Sequence, residues 1–125
     1  MRAKKAAEKR IGSIRDQITA LSHRIHANPE IGYEEENASY WIGESLDSNG
    51  FQVRRGVCEL PTALIGTYGS GPLHIGICAE YDALPAIGHA CGHNVIAASS
   101  VAAAIALAGV ADDVGLTVSL LGTPA

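Results

Sequence analysis

The feature that most constrains the fold is a charge-free, alanine-rich run at residues 95–111, flanked by apolar segments at 73–81 and 116–121. The run is close to the lower length limit for crossing a bilayer and contains Ser99 and Ser100, which favours a core helix. Because it is apolar on every side, we predict a helix at 94–109 packed between a sheet and other helices. Strand, helix and strand at this spacing predict a βαβ unit, a parallel strand pair and an α/β fold.

The remaining elements extend this pattern. Apolar residues from Ile11 to Ile25 recur in steps of three and four, which predicts one amphipathic helix ending at Asn28-Pro29. The segment at 73–81 alternates apolar residues with small or polar ones, and we interpret it as a central strand. Further predictions are a helix at 38–46, strands at 51–54, 62–68 and 116–121, and a turn at Asp112-Asp113.

Composition excludes several classes of protein. The chain has 125 residues, 47% of them hydrophobic and 18% charged, which predicts one small packed domain and excludes a disordered chain. A net charge of −4 argues against a nucleic-acid partner. The basic cluster at 2–10 precedes no apolar signal region, so we expect a cytoplasmic protein. The 3 cysteines are widely spaced and do not suggest a disulfide framework.

Candidate functional residues lie between Glu80 and Asn94, where the 73–81 strand ends. Ligands of open α/β sheets bind beyond the carboxyl ends of the strands. His89, Cys91 and His93 alternate, so an extended segment would place all three side chains on one side. Imidazole and thiolate are ligands that suit zinc or a similar transition ion.

Each of these residues also has a structural interpretation. Cys91 can be a small buried hydrophobe and His93 a hydrogen-bonded loop histidine, although their position at a strand end beside carboxylates favours metal ligands. His89 can equally donate to a backbone carbonyl. Asp82 either caps a turn or accepts the free N–H of a ligand imidazole. We expect Glu80 to be structural or peripheral.

Two motifs resemble those of the metal-dependent amidohydrolase and aminoacylase family, which includes hippurate, auxin-conjugate and aminobenzoyl-glutamate hydrolases and related dipeptidases. One is Arg24–Glu30 with Glu35 or Glu36 downstream, and the other runs from Asp82-Ala83-Leu84-Pro85 to His89-Ala90-Cys91-Gly92-His93. The resemblance extends from about residue 18 to 125. It implies a zinc-exopeptidase-like, three-layer α/β/α fold with a mixed, largely parallel sheet that is incomplete in this chain. Residues 1–125 would be the N-terminal portion of the catalytic metal-binding domain, without the lid or dimerisation domain.

The resemblance also implies roles for individual residues. Cys91 and His93 would be ligands of a centre of two divalent ions, zinc, manganese or cobalt, and Asp82 would support the site without binding metal. His89 is not a usual ligand in the family, and Asn94 stands where an Asp is common. In relatives, two glutamates that act as general base and ligand follow the segment matched by 122–125. No substrate-binding residue is identified.

The implied function is metal-dependent hydrolysis of amide bonds in N-acyl amino acids, dipeptides or aminobenzoyl-glutamate-like substrates. We expect a small-molecule amide substrate, no nucleic-acid or membrane partner, and a homo-oligomer when intact. The chain alone should be inactive and bind metal weakly, because two ligands fall short of a stable shell. The alternatives are a noncatalytic metal-binding or assembly module, self-associating through the alanine-rich helix and the edge of the 116–121 strand, and a zinc-only structural site of Asp82, His89, Cys91 and His93.

Overall fold

The centre of the fold is a four-stranded mixed sheet, seen in a computed structural model that describes residues 2–125. Its strands are β1 (Gln52–Arg55), β2 (Leu64–Gly69), β3 (Leu73–Glu80) and β4 (Leu116–Thr123), and their order in the sheet is β1-β2-β4-β3. The β1–β2 and β2–β4 pairs are antiparallel, and β3 and β4 are parallel. The predicted α/β class with a mixed sheet is therefore confirmed. The sheet was expected to be largely parallel, but within residues 2–125 only the β3–β4 pair is parallel.

Helices precede and connect the strands: α1 (Arg2–Ser13), α2 (Arg15–Ala27), α3 (Glu36–Asp47), α4 (His93–Ala108) and α5 (Ala111–Val114). The prediction of one continuous helix at 11–25 was wrong, because the helix is interrupted at Ile14, whose backbone is not helical. Gly12 is a weak helix former, and Ser13 Oγ donates to the carbonyl of Arg10, a contact that bends helices. The predicted turn at 112–113 lies within the short helix α5.

Helix α4 is the core helix that its composition predicted. It packs on β3 and β4 and also contacts α1, α2 and α3. Its buried residues include Ala97, Val101 and Ile105, and they belong to the main hydrophobic core. Since α4 connects two parallel strands, the predicted βαβ unit is confirmed. Within residues 2–125, every helix is too short or too polar to span a bilayer.

Two predictions about strand position were wrong. The 73–81 segment was expected to be central, but β3 is an edge strand of the sheet formed by residues 2–125. The 116–121 segment was expected to leave an open edge, but β4 lies between β2 and β3. The reason is long-range: β2 pairs with β4 antiparallel over its whole length, from Leu64 opposite Gly122 to Gly69 opposite Thr117.

The helices cover one face of the sheet. On β3, Ile75, Ile77 and Ala79 pack into the core. The residues between them point to the opposite face, where His74 and Cys78 are exposed. The described residues thus form two layers of the predicted three-layer arrangement, which was expected to be incomplete in this chain.

Candidate functional site

The site loop follows β3 at the carboxyl end of the parallel pair, where Glu80 lies opposite Thr123 of β4. Leu84 and Gly88 exchange two backbone hydrogen bonds of 2.9 and 3.2 Å, which close a tight turn. Ala86 inside this turn has a φ of 68°. The loop is therefore not extended, and the argument that alternation places three ligands on one side was wrong.

The first sequence motif supports this loop. The Glu30 carboxylate accepts hydrogen bonds from the backbone N–H groups of Asn37 and Ala38, at 3.0 and 2.9 Å, and so caps the start of α3. The backbone carbonyl of the same residue accepts the N–H of Ala83 at 2.7 Å. Glu30 thereby fixes both a helix start and the backbone beside Asp82.

Asp82 and His93 form the hydrogen bond that a supporting carboxylate requires. The Asp82 Oδ1 to His93 Nδ1 distance is 2.7 Å, and the side chains are 18% and 21% exposed. With the proton on Nδ1, this bond fixes the tautomer and leaves the Nε2 lone pair available to a metal. The contact itself is confirmed, while the role of His93 as a ligand stays a prediction.

Cys91 is exposed and free, two residues before His93, which is the first residue of α4. Cys58 and Cys78 are also free, so the described cysteines form no disulfide. An accessible thiol beside a carboxylate-bound imidazole fits a zinc-type donor set. However, residues 2–125 contain no group of three or more such donors that could hold an ion. The chain fits part of a metal shell, and the four-residue structural zinc site was wrong.

His89 lies beside the candidate ligands but makes no contact that supports a metal. Both of its ring nitrogens are buried and have no hydrogen-bond partner within residues 2–125. Its ring centroid lies 6.3 Å from that of His26. Burial, followed by the neighbouring charges of His26 and His93, lowers the pKa of His89. The neutral form is therefore favoured at neutral pH.

Asn94, the departure from the family pattern, has a local partner. Its side-chain amide donates to Ser22 Oγ at 3.0 Å, and the residue is 7% exposed. This contact ties the start of α4 to α2, so the altered residue contributes to packing between helices.

Sequence reasoning missed the role of Glu35. This residue is fully buried, and its carboxylate accepts hydrogen bonds from Thr62 Oγ1 and from the backbone N–H of Ala125. A run of three glutamates at 34–36 is typical of a solvated surface, so the sequence gives no local sign that Glu35 is buried. The available signal was the family motif, which marks position 35 or 36.

The chain was compared with family models and with proteins of known function. No family model matches the chain. Over 128 aligned residues it is 35% identical to the human Xaa-Arg dipeptidase, an alignment that covers 88% of this chain and 29% of that protein. It is 33% identical over 110 residues to a p-aminobenzoyl-glutamate hydrolase component from Escherichia coli, covering 74% of this chain and 23% of that protein.

A solved structure supports the fold. A dinuclear metal-binding peptidase of the M20 family from Bacillus subtilis superposes with a TM-score of 0.71 at 24% identity, covering 91% of this chain and 36% of that one. The chain spans less than a third of the length of the curated relatives named above. These comparisons confirm the resemblance drawn from the two sequence motifs.

Proposed function

We propose, since the chain belongs to the metal-dependent amidohydrolase and dipeptidase family, that the intact protein hydrolyses amide bonds of small substrates. N-acyl amino acids, dipeptides and aminobenzoyl-glutamate-like compounds are the substrate classes proposed. The observation that carries this proposal is the hydrogen bond between Asp82 and His93 at the carboxyl end of β3. Cys91, whose thiol is exposed and free, lies two residues before His93.

In this proposal, residues 1–125 are the N-terminal portion of the catalytic metal-binding domain. Cys91 and His93 each supply one ligand to a centre of two divalent ions, which are zinc, manganese or cobalt. Bound metal would polarise the substrate carbonyl and lower the pKa of water. Asp82 holds the His93 ring in the tautomer that presents Nε2. A general base and further ligands lie outside these residues, as does a lid or dimerisation domain.

The protein-wide features proposed with this activity are a cytoplasmic location and homo-oligomeric assembly. Residues 1–125 by themselves should be inactive and hold metal weakly, because two ligands do not complete a shell. Hydrolysis of an N-acyl amino acid by residues 1–125 alone, abolished by Cys91→Ala, would contradict this part of the proposal.

The test uses the full-length protein loaded with cobalt, whose bond to a thiolate gives a charge-transfer absorption. Cys91→Ala should abolish that absorption and the hydrolysis of hippurate, dipeptide and aminobenzoyl-glutamate substrates. Cys78→Ala is the matched control, because Cys78 is also exposed and free but lies on the outer face of β3. Equal loss in both variants, or none in either, would refute the assignment of Cys91.

Asp82→Asn tests the supporting carboxylate separately. The substitution removes the charge that holds His93 and leaves an amide of similar size. We expect cobalt affinity to fall by about 10–100-fold, the usual effect of losing such a partner. A cobalt dissociation constant equal to that of the wild type would show that Asp82 only stabilises the loop.

A further inference from the structure

Glu35 is a buried carboxylate without a cation. It lies immediately before α3 and has no exposed surface. Within residues 2–125 the ion pairs are Arg55–Glu44 and His93–Asp82, so Glu35 is balanced by hydrogen bonds alone. Burying an ionised group without compensation is costly, and each bond to this carboxylate therefore matters for the local structure.

The two oxygens of Glu35 bind two different segments. Oε1 accepts the hydroxyl of Thr62 at 3.1 Å, in the loop before β2. Oε2 accepts the backbone N–H of Ala125 at 2.9 Å, in the segment that follows β4. At the carboxyl end of β4, the Glu35 side chain thus joins two segments that are far apart in sequence.

The same network reaches the candidate metal ligands. The hydroxyl of Tyr81 donates to the backbone carbonyl of Thr62. Tyr81 is fully buried and is followed directly by Asp82, which binds His93. Burial, and then the charge of Glu35, raises the pKa of Tyr81, which remains a hydroxyl donor. Glu35 is therefore connected by hydrogen bonds to both parallel strands at the end that carries the site.

Close packing on the other side leaves the segment after β4 little freedom. A Cβ added to Gly32 would lie 2.6 Å from Cβ of Ala125, so the 30–35 loop and residue 125 are already in contact. Because the space around residue 125 is this small, the hydrogen bond from its N–H to Glu35 helps to determine the backbone conformation there.

We propose that Glu35 is a positioning residue: its buried carboxylate fixes the backbone that follows β4 relative to the Asp82–His93 pair. The consequence for metal binding rests on the proposed function, whereas the anchoring of residues 122–125 does not. Charge is not required for this role. A glutamine at 35 can accept the Ala125 N–H through its oxygen and donate its amide to the Thr62 hydroxyl.

The experiment compares Glu35→Ala and Glu35→Gln in the full-length protein. The matched control is Glu30→Ala, which likewise removes a glutamate carboxylate near the start of α3, but one that does not touch the segment after β4. The backbone carbonyl of residue 30, which accepts the N–H of Ala83, is retained in this variant. The first readout is amide hydrogen exchange in residues 122–125, above all at Ala125, whose N–H binds Glu35, since Pro124 has no N–H. Glu35→Ala should accelerate it by about tenfold or more, as expected for losing a bond to a charged group, while Glu35→Gln and Glu30→Ala retain the wild-type rate.

The second readout is the cobalt–thiolate absorption. Glu35→Ala should raise the cobalt dissociation constant by about tenfold, and Glu35→Gln should restore it. Equal effects of Glu35→Ala and Glu30→Ala, or equal loss in the alanine and glutamine variants, would overturn the proposal. If Glu35→Ala does not fold, Glu35→Met takes its place, because it removes both acceptor oxygens, including Oε2 that binds the Ala125 N–H, and keeps a side chain of similar length. Unchanged exchange of 122–125 in that variant would also overturn the proposal.

Failure of the proposed function is recognised separately. A wild-type protein without the cobalt–thiolate absorption refutes the metal site. The exchange of residues 122–125 then decides the role of Glu35 by itself.

Discussion

Gly122 is the position at which a single added methyl group should be most informative. It lies on β4 opposite Leu64 of β2. A Cβ at this position would lie 2.7 Å from Leu64 Cγ and 3.1 Å from the hydroxyl oxygen of Tyr81. Leu64 and Tyr81 are both fully buried, so neither can move aside without displacing its own neighbours.

The expected cost of Gly122→Ala follows from this geometry. Overpacking a filled core costs about 1–3 kcal/mol. Removing a glycine from a strand offsets about 0.5–1 kcal/mol of that through backbone entropy. Gly76→Ala on β3 shares the backbone gain, but its nearest contact, Leu121 Cδ1, would be at an ordinary 3.8 Å. The difference between the two variants therefore isolates the packing cost, about 1–3 kcal/mol.

The assay is urea unfolding of residues 1–125 for both variants and the wild type, followed by the fluorescence of Trp41, the single tryptophan of these residues. Midpoints should shift at constant slope, because neither substitution changes the surface exposed on unfolding. We expect Gly122→Ala to unfold at lower urea than the wild type and Gly76→Ala at equal or higher urea. A Gly122→Ala variant as stable as Gly76→Ala would refute the reasoning from close contacts.

Two further predictions concern buried polar groups. Tyr81→Phe leaves the Thr62 carbonyl without its donor and should destabilise the protein by about 1 kcal/mol in urea unfolding. Tyr40→Phe, at an exposed position, should not, and equal unfolding midpoints for the two variants would contradict the role of the Tyr81 hydroxyl. Because the pKa of His89 is lowered from 6.5 in the folded protein, the unfolded chain binds its proton at higher pH. The contribution of His89 to stability is therefore present above pH 6.5 and lost as the pH falls from there towards the lowered pKa. His89→Asn should flatten the stability profile in this window, and the exposed His74→Asn should not; identical profiles would argue against the lowered pKa.

The elements determined by local pattern were predictable from the sequence. The apolar surface of the 94–109 segment determines α4, and Asn28-Pro29 marks the end of α2. The break at Ile14 was missed because the apolar spacing continues across it, while the cause lies in Gly12 and Ser13. The order of strands was missed because edge and central positions depend on pairing between distant segments, which composition does not record.

The site divides in the same way. The Asp82–His93 hydrogen bond joins residues that are 11 apart in sequence, and it agrees with one of the two interpretations of Asp82, a carboxylate that accepts the N–H of a ligand imidazole. Glu35 contacts Thr62 and Ala125, which become its neighbours only after folding. A glutamate that will be buried has the same chemical nature as one in solvent, so local sequence does not distinguish them.

The helix interruption at Ile14 also determines the order in which segments of the protein unfold. Helix α1 contributes no buried residue, whereas Ile14 is only 4% exposed and belongs to the core. Opening free energy follows the apolar surface that a segment buries, so α1 should detach while the remainder stays folded. We therefore expect the cooperative unit to begin at Ile14. Residues 2–13, which are held by contacts with α4 and by the hydrogen bond from Arg10 to Asn49, should be the first segment that a protease cleaves.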